Sequence, residues 1–368
     1  MKITDVSLTM FTWKIPTQTA VHRFSAAAGN REIAVVTIGT DGGIEGHSFL
    51  GASNRGADID VPALLTYLKP MLMGQNPLDI GRLWNDMFHW NRVVSLRAIG
   101  VMDVALWDLA GNAMKQPIHR LLGTCRTSVP AYVSSEHLPT VQSYVDEALD
   151  YKSRGLTAFK VHPHSNPAED IEICRAVRKT VGDDYRLMLD SMWAYSYEDA
   201  VRVGRVVEDL NYYWYEDPLV DDDLYNYVKL RQKLHIPILA TEYAPGGLYG
   251  LPQWILQGGT DMLRGDVTVK GGITSLMKIA HLAEAFRMKC EIHHGGNSLM
   301  NVANLHVIMA VSNCEYFEVY LPDIAQKYAL VKDIEVDKQG LVHAPEAPGL
   351  GYEIDWELVK RNTTRVLR

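Results

Sequence analysis

The chain is poor in the residues that mark specialised protein classes. Its 368 residues include four cysteines, Cys125, Cys174, Cys290 and Cys314, far apart and without C-x-x-C spacing. That pattern excludes a disulfide scaffold, a zinc ribbon or a dithiol motif. A reduced intracellular protein is expected, with the cytoplasm as its compartment. No window approaches the roughly 18 uninterrupted apolar residues of a membrane span. The opening "MKITDVSLTM" alternates like a strand and does not resemble a secretory leader. Lys/Arg runs are also missing and the net charge is −8, so phosphate neutralisation by clustered cations, and with it nucleic-acid binding, is not expected. No G-x-G-x-x-G follows the first strand-like segment, which argues against a doubly wound dinucleotide fold. Low-complexity segments and long linkers are absent too.

The composition, 47% hydrophobic and 22% charged with 28 Gly and 16 Pro, is that of a globular chain with a large core. Two rhythms divide it. Over residues 1–125, strand-like alternation in "ITDVSLTMFTWKI" and "REIAVVTIGT", with turn residues at "TDGG", gives way to helical spacing in "VPALLTYLKPMLMG", "LDIGRLWNDMFHW" and "LRAIGVMDVALWDLAGNAM". An α+β module is expected there. Over 126–325, eight short apolar runs alternate with amphipathic stretches: "SVPAYVSS", "TAFKVHPH", "YRLMLDS", "YYWYEDP", "IPILATE", "DMLRGDV", "KCEIHHG" and "EYFEVY". Eight strands separated by helices predict a parallel (β/α)8 barrel of the TIM type. Residues 326–368 read as strands with a turn, returning to the N-terminal module as part of a cap.

In such a barrel chemistry collects at the C-terminal strand ends, and the charged residues obey that rule. The second run ends in Lys160 and His162, the third in Asp190, the fourth in Glu216, the fifth in Glu242, the sixth in Asp266, the seventh in His293 beside His294, and the eighth in Glu318. Any one acid could be a helix cap or an ordinary ion pair. Asp190, Glu216 and Glu242, however, recur at intervals of 26 residues on consecutive strands. Converging carboxylates call for a cation, and hard oxygen ligands favour Mg²⁺. A divalent ion with vacant positions can hold a substrate carboxylate while a proton leaves the adjacent carbon. Histidine, or a lysine of lowered pKa, is the matching base. Asp266 can orient His293 as a dyad partner, and Glu318 can act at a developing enolate oxygen if burial raises its pKa. Strand alternation leaves His293 and His294 open as alternatives.

With these motifs in place, the chain resembles the enolase superfamily, within it the mandelate racemase subgroup, over nearly its whole length. "LMLDSMW", "WYEDPL" and "ILATEY" resemble the three metal-ligand strands, which implies Asp190, Glu216 and Glu242 as ligands of one Mg²⁺ per subunit. "LRGDVTVKGGIT" and "CEIHHGGNS" resemble the Asp–His dyad, implying Asp266 and His293, and "EYFEV" the electrophilic glutamate, Glu318. The resemblance implies abstraction of the proton α to a carboxylate through an enediolate. The expected outcome is dehydration of an acid sugar, an aldonate or aldarate, to a 2-keto-3-deoxy acid, with racemisation, epimerisation or cycloisomerisation as the alternative. A small-molecule carboxylate substrate and a homo-oligomer are expected; nucleic-acid and membrane partners are not.

The second barrel strand departs from the subgroup's Lys-x-Lys. In "FKVHPH" a histidine, His162, holds the place of the second lysine. Alternate positions share a face, so Lys160 and His162 project together. The charge of Lys160 is expected to keep His162 neutral, as a base or as a group that positions a substrate hydroxyl; His164 is read as a loop residue. The polar loops at 20–29 and 49–56 suit closure over the barrel mouth. From them His22, Arg23 and Arg55 are candidates for a distal hydroxyl or second carboxylate, and Trp193 and Tyr243 for the pocket wall.

Overall fold

The structure is a computed structural model and describes residues 1–14 and 30–368; His22 and Arg23 lie outside the described residues. Strands β1 (Ile3–Lys14), β2 (Asn30–Thr40) and β3 (Glu45–Leu50) build an antiparallel sheet. Successive side chains point to opposite faces of a strand, and here both faces are used. Val6, Leu8, Met10, Val36 and Ile38 pack on the cap helices, whereas Phe11, Trp13, Ile33 and Val35 join the barrel core.

The barrel follows as β4 (Ser128–Ser134), β5 (Ala158–Val161), β6 (Arg186–Asp190), β7 (Tyr215–Glu216), β8 (Ile238–Ala240), β9 (Met262–Gly265), β10 (Lys289–Ile292) and β11 (Phe317–Tyr320). Neighbours pair in parallel from β10 round to β4 and on to β11. No ladder joins β10 to β11 among the described residues; individual bonds close that seam. Cys290 N–H donates to Asn313 O at 2.9 Å, Glu315 N–H to Glu291 Oε1 at 3.0 Å and His294 N–H to Glu318 Oε2 at 3.0 Å. The barrel interior is layered, as side chains from alternate strands fill it in tiers. Tyr132, Met188, Trp214, Leu239 and Met262 form an apolar tier, and the ionic tier described below lies above it.

The tail divides its loyalties. Strand β13 (Thr363–Leu367) pairs with β1 and sets Leu367 opposite Leu8. The strand before it, β12 (Leu341–His343), pairs instead with barrel strand β4.

The helix Leu96–Met114 couples the two bodies. It is buried nearly all round, as befits a helix packed on both sides. Ser95 caps it, its Oγ accepting from Ala98 N–H at 3.1 Å. At Gly100 a Cβ would stand 2.5 Å from Val267 O, so only glycine lets the helix press onto the loop after β9. At the far end of the barrel, buried His306 joins three segments. His119 N–H donates to its Nδ1 at 3.0 Å, and its Nε2–H donates to Leu350 O at 3.0 Å. Burial holds this imidazole down to about 3, below the ordinary value near 6.5. Because the unfolded state then binds the extra proton, stability is complete above about pH 6.5 and falls as pH drops towards 3. We expect this residue alone to contribute about 1 kcal/mol of loss per pH unit over that window. Urea unfolding at pH 7 and pH 5 checks it, and His306→Gln should flatten the pH dependence.

Among the described residues no helix is long and apolar enough to cross a membrane.

Candidate active site

The C-terminal strand ends open into a cavity of about 340 Å³, walled by Lys160, His162, Asp190, Glu242, His293 and Glu318 among others. Its floor is ionic and buried. Lys160 Nζ lies 3.1 Å from Asp190 Oδ2, 3.0 Å from Glu216 Oε2 and 2.8 Å from Glu318 Oε1. Arg264, fully buried on β9, places Nε 2.6 Å from Glu216 Oε1 and Nη2 2.7 Å from Glu318 Oε2. Arg264 is absent from the sequence-derived site, although it stands two residues before Asp266 and so shares its face. The period-2 rule was the available signal.

These contacts set the charge states. Burial would raise Glu318, but Arg264 and Lys160 outweigh it and hold the carboxyl well below its usual range. The condition that burial raises the Glu318 pKa is therefore not met: two buried cations touch it and favour the ionised form. Burial pushes Glu216 up to about 7 against the pull of Arg264, and the charge of Asp190 adds to the rise.

Asp190 closes β6 and Glu216 closes β7, while Glu242 stands two residues beyond β8. The chain turns sharply beside all three. Met192, Trp193, Asp217 and Thr241 have φ of 48°, 62°, 41° and 88°, a left-handed region that a β-branched residue such as Thr241 rarely enters. Strain of this kind costs on the order of 1–3 kcal/mol per residue and collects at functional sites. Among the described residues no three His, Cys, Asp or Glu side chains are gathered as a ready-made metal cluster. Lys160 and Arg264 instead draw Glu216 onto themselves. In donor type the set nevertheless suits a hard cation. Asp190, Glu216, Glu242, Asp266 and Glu318 face two permanent cations, Lys160 and Arg264.

Two imidazoles face this cavity with different hydrogen-bond partners. His162, just past β5, has Nδ1 2.5 Å from Ser135 O and Nε2 2.8 Å from Asp190 Oδ2. Both oxygens are acceptors, so the ring that satisfies both is the imidazolium. Burial and Lys160 oppose that charge, but Asp190 outweighs them and raises the pKa. The expectation that Lys160 keeps His162 neutral is overturned, since the direct carboxylate bond is closer and stronger. His293 donates Nδ1–H to Asp266 Oδ2 at 2.5 Å, whereas its Nε2 stands 3.5 Å from Glu242 Oε1, too far for a good hydrogen bond. Burial lowers its proton affinity, but Glu242 and Asp266 raise it to about 9. His294 packs tilted against Phe317 with ring centroids 4.1 Å apart, and burial drives it down to about 3. Of the two histidines left open, His293 is the one on the cavity wall. His164 bonds Leu138 O and Glu169 outside the cavity.

The cap contributes Ala52, Ser53 and Asn54 to the wall. Arg55, expected to reach a substrate, does not line the cavity. Asp60 holds it, with Nε and Nη2 at 3.1 and 3.0 Å, and that bidentate pair fixes the loop. Trp193 and Tyr243 do line the cavity, edge to face with centroids 5.4 Å apart. Arg97, Glu136 and Tyr320 also line it. The sequence offered no signal for these three, since they come from a helix start and two strand mouths and meet only in the folded chain.

Residues 143–358 match the family described as enolase C-terminal domain-like, and residues 3–123 match the mandelate racemase / muconate lactonizing enzyme N-terminal domain. The chain is similar to arabinonate dehydratase of Saccharolobus solfataricus, 30% identical over 299 residues, 78% of this chain and 79% of that one. It is 27% identical over 379 residues to D-galactarolactone cycloisomerase of Agrobacterium fabrum, covering 96% and 97% of the two chains. Among solved structures, that of D-glucarate dehydratase from Agrobacterium tumefaciens complexed with magnesium is 35% identical, covers 99% of this chain and 100% of that one, and superposes with a TM-score of 0.88. These relatives are acid-sugar dehydratases and cycloisomerases.

Proposed function

We propose that this chain, which belongs to the mandelate racemase / muconate lactonizing enzyme group of the enolase superfamily, removes the proton α to the carboxylate of an acid sugar and expels the β-hydroxyl as water. The observation that carries this reading is the pair of unlike imidazoles on one cavity wall. His293, oriented by Asp266, presents a loosely held Nε2 and is the base. His162, bonded through both nitrogens to acceptor oxygens, is the acid. The α-proton passes to His293 Nε2, and the β-hydroxyl leaves with a proton from His162 Nε2. The enol so formed tautomerises to a 2-keto-3-deoxy acid, and solvent resets both rings. Lys160 and Arg264 keep Glu318 ionised and hold Glu216 in place beneath the cavity.

Asp190, Glu216 and Glu242 would hold a divalent cation, Mg²⁺ by their oxygen chemistry. When bound, such an ion supplies Lewis-acid charge beside the substrate carboxylate. Mg²⁺ should raise the thermal midpoint, by the equivalent of about 2.7 kcal/mol at free metal about 100-fold above its Kd. Asp190→Asn and Glu242→Gln should remove that shift. An unshifted wild-type melt across millimolar Mg²⁺ would count against the metal.

The reaction is tested by incubating protein and Mg²⁺ with aldonic and aldaric acids, following 2-keto acid release and α-proton exchange in D₂O. Keto acid supports dehydration. Exchange or inversion without keto acid points to racemisation or cycloisomerisation, to which two bases around one cavity are also suited. Silence in both assays sinks the reading. For the acid–base assignment, His162→Asn should lose keto-acid formation and keep exchange.

A further inference from the structure

The cations beneath the cavity are spoken for. Lys160 touches three carboxylates and Arg264 bridges Glu216 and Glu318. Arg97 differs. Its half-buried guanidinium lines the cavity, and the bond made from Nη2 is to a neutral group, Tyr243 OH at 3.1 Å. Among the described residues no carboxylate is ion-paired with it, and a guanidinium carries five donors in a planar fork.

Arg97 is also held still. It stands in the first turn of the helix Leu96–Met114, behind the Ser95 cap. Ser95 Oγ donates to Asp60 Oδ1 at 2.7 Å, and the same Asp60 grips Arg55. One buried carboxylate thus locks the helix start to the cap loop that brings Ser53 and Asn54 to the cavity. Gly100, one turn further on, lets the helix sit against the loop after β9. Tyr243, which receives the Arg97 bond, directly follows Glu242 in the chain. Arg97, Ser53 and Asn54 bring donors to the cavity lining, and Glu136 brings a carboxyl.

We propose that Arg97 binds a second carboxylate of the substrate, at the end of the molecule away from the reacting carbon, so that the acid sugar is an aldaric and not an aldonic acid. The proposal rests on the acid-sugar reading above and narrows it. A rigid fork with free donors matches a carboxylate bidentately and gains far less from a terminal hydroxyl.

Two measurements test it. In steady-state kinetics with Mg²⁺, six-carbon aldaric acids should be preferred over the matching aldonic acids. The ratio of their kcat/KM values should fall roughly 10- to 100-fold in Arg97→Met, chiefly through KM, and recover in part in Arg97→Lys. In calorimetry, unreactive adipate should bind the wild type more tightly than hexanoate, and Arg97→Met should erase the difference. Aldonic acids turned over better than aldaric ones, or an unchanged ratio in Arg97→Met, would overturn the proposal. So would equal binding of adipate and hexanoate to the wild type. If adipate is discriminated through Arg97 but no acid sugar reacts, the dicarboxylate site stands and the dehydratase reading falls.

Discussion

Arg264→Met is expected to destabilise the fold by about 3–5 kcal/mol at pH 8, the loss typical when one member of a buried ion pair is removed. Arg264 has no solvent exposure, and its guanidinium lies against Glu216 and Glu318. Methionine fills much of the volume, so the loss comes mainly from two carboxylates left buried with Lys160 as their remaining cation. That origin has a pH signature. Without Arg264 both carboxyls titrate higher in the folded protein than in the unfolded chain, so their penalty is present at high pH and shrinks as pH falls towards the unfolded value near 4. Urea unfolding at pH 8 and pH 5 should show a smaller deficit at pH 5. A deficit independent of pH would mean that Arg264 acts by packing alone. Arg264→Lys should restore only part of the loss, because an ammonium cannot span two carboxylates as the fork does.

His293→Asn should lower kcat by about 10²- to 10⁴-fold on any acid sugar that the wild type turns over, the range that general-base catalysis contributes. Unlike His162→Asn, it should also abolish α-proton exchange in D₂O, since no base remains for the first step. The thermal midpoint should change little, as His293 makes one tight bond and faces a cavity. A base must be neutral to act, so the wild-type rate should climb with pH as His293 loses the proton that its bond to Asp266 favours. Asp266→Asn removes that charge, and the acid limb of its profile should move to lower pH with a reduced kcat. Exchange persisting in His293→Asn would transfer the base role to His162.

Much of this site was legible because strands repeat every two residues. The period placed Asp190 and Glu216 at strand ends and put Lys160 and His162 on one face, and the folded chain keeps them there. The same period pointed to Arg264 through its spacing from Asp266, a pattern that reads as an ordinary strand interior until a neighbour supplies a carboxylate. Arg97 carries no such pattern. It begins a helix nearly a hundred and fifty positions before Tyr243 in the chain, and their bond exists because Gly100 brings that helix onto the barrel. Arg55 misled for the converse reason: its loop does reach the mouth, but Asp60, five residues on, claims the side chain.

The sequence by itself determined the kind of barrel, the order of its strands and the chemical types at their ends, since each follows from local periodicity and composition. Charge states were decided only by the tertiary structure. His162 was expected neutral from one neighbour, Lys160, and a raised Glu318 was a condition resting on burial alone; the folded site turns both the other way through Asp190 and Arg264. Ionisation in a dry interior is a sum over every charge within a few ångströms. At this barrel mouth those charges arrive from β5 to β11, and no stretch of chain contains more than one or two of them.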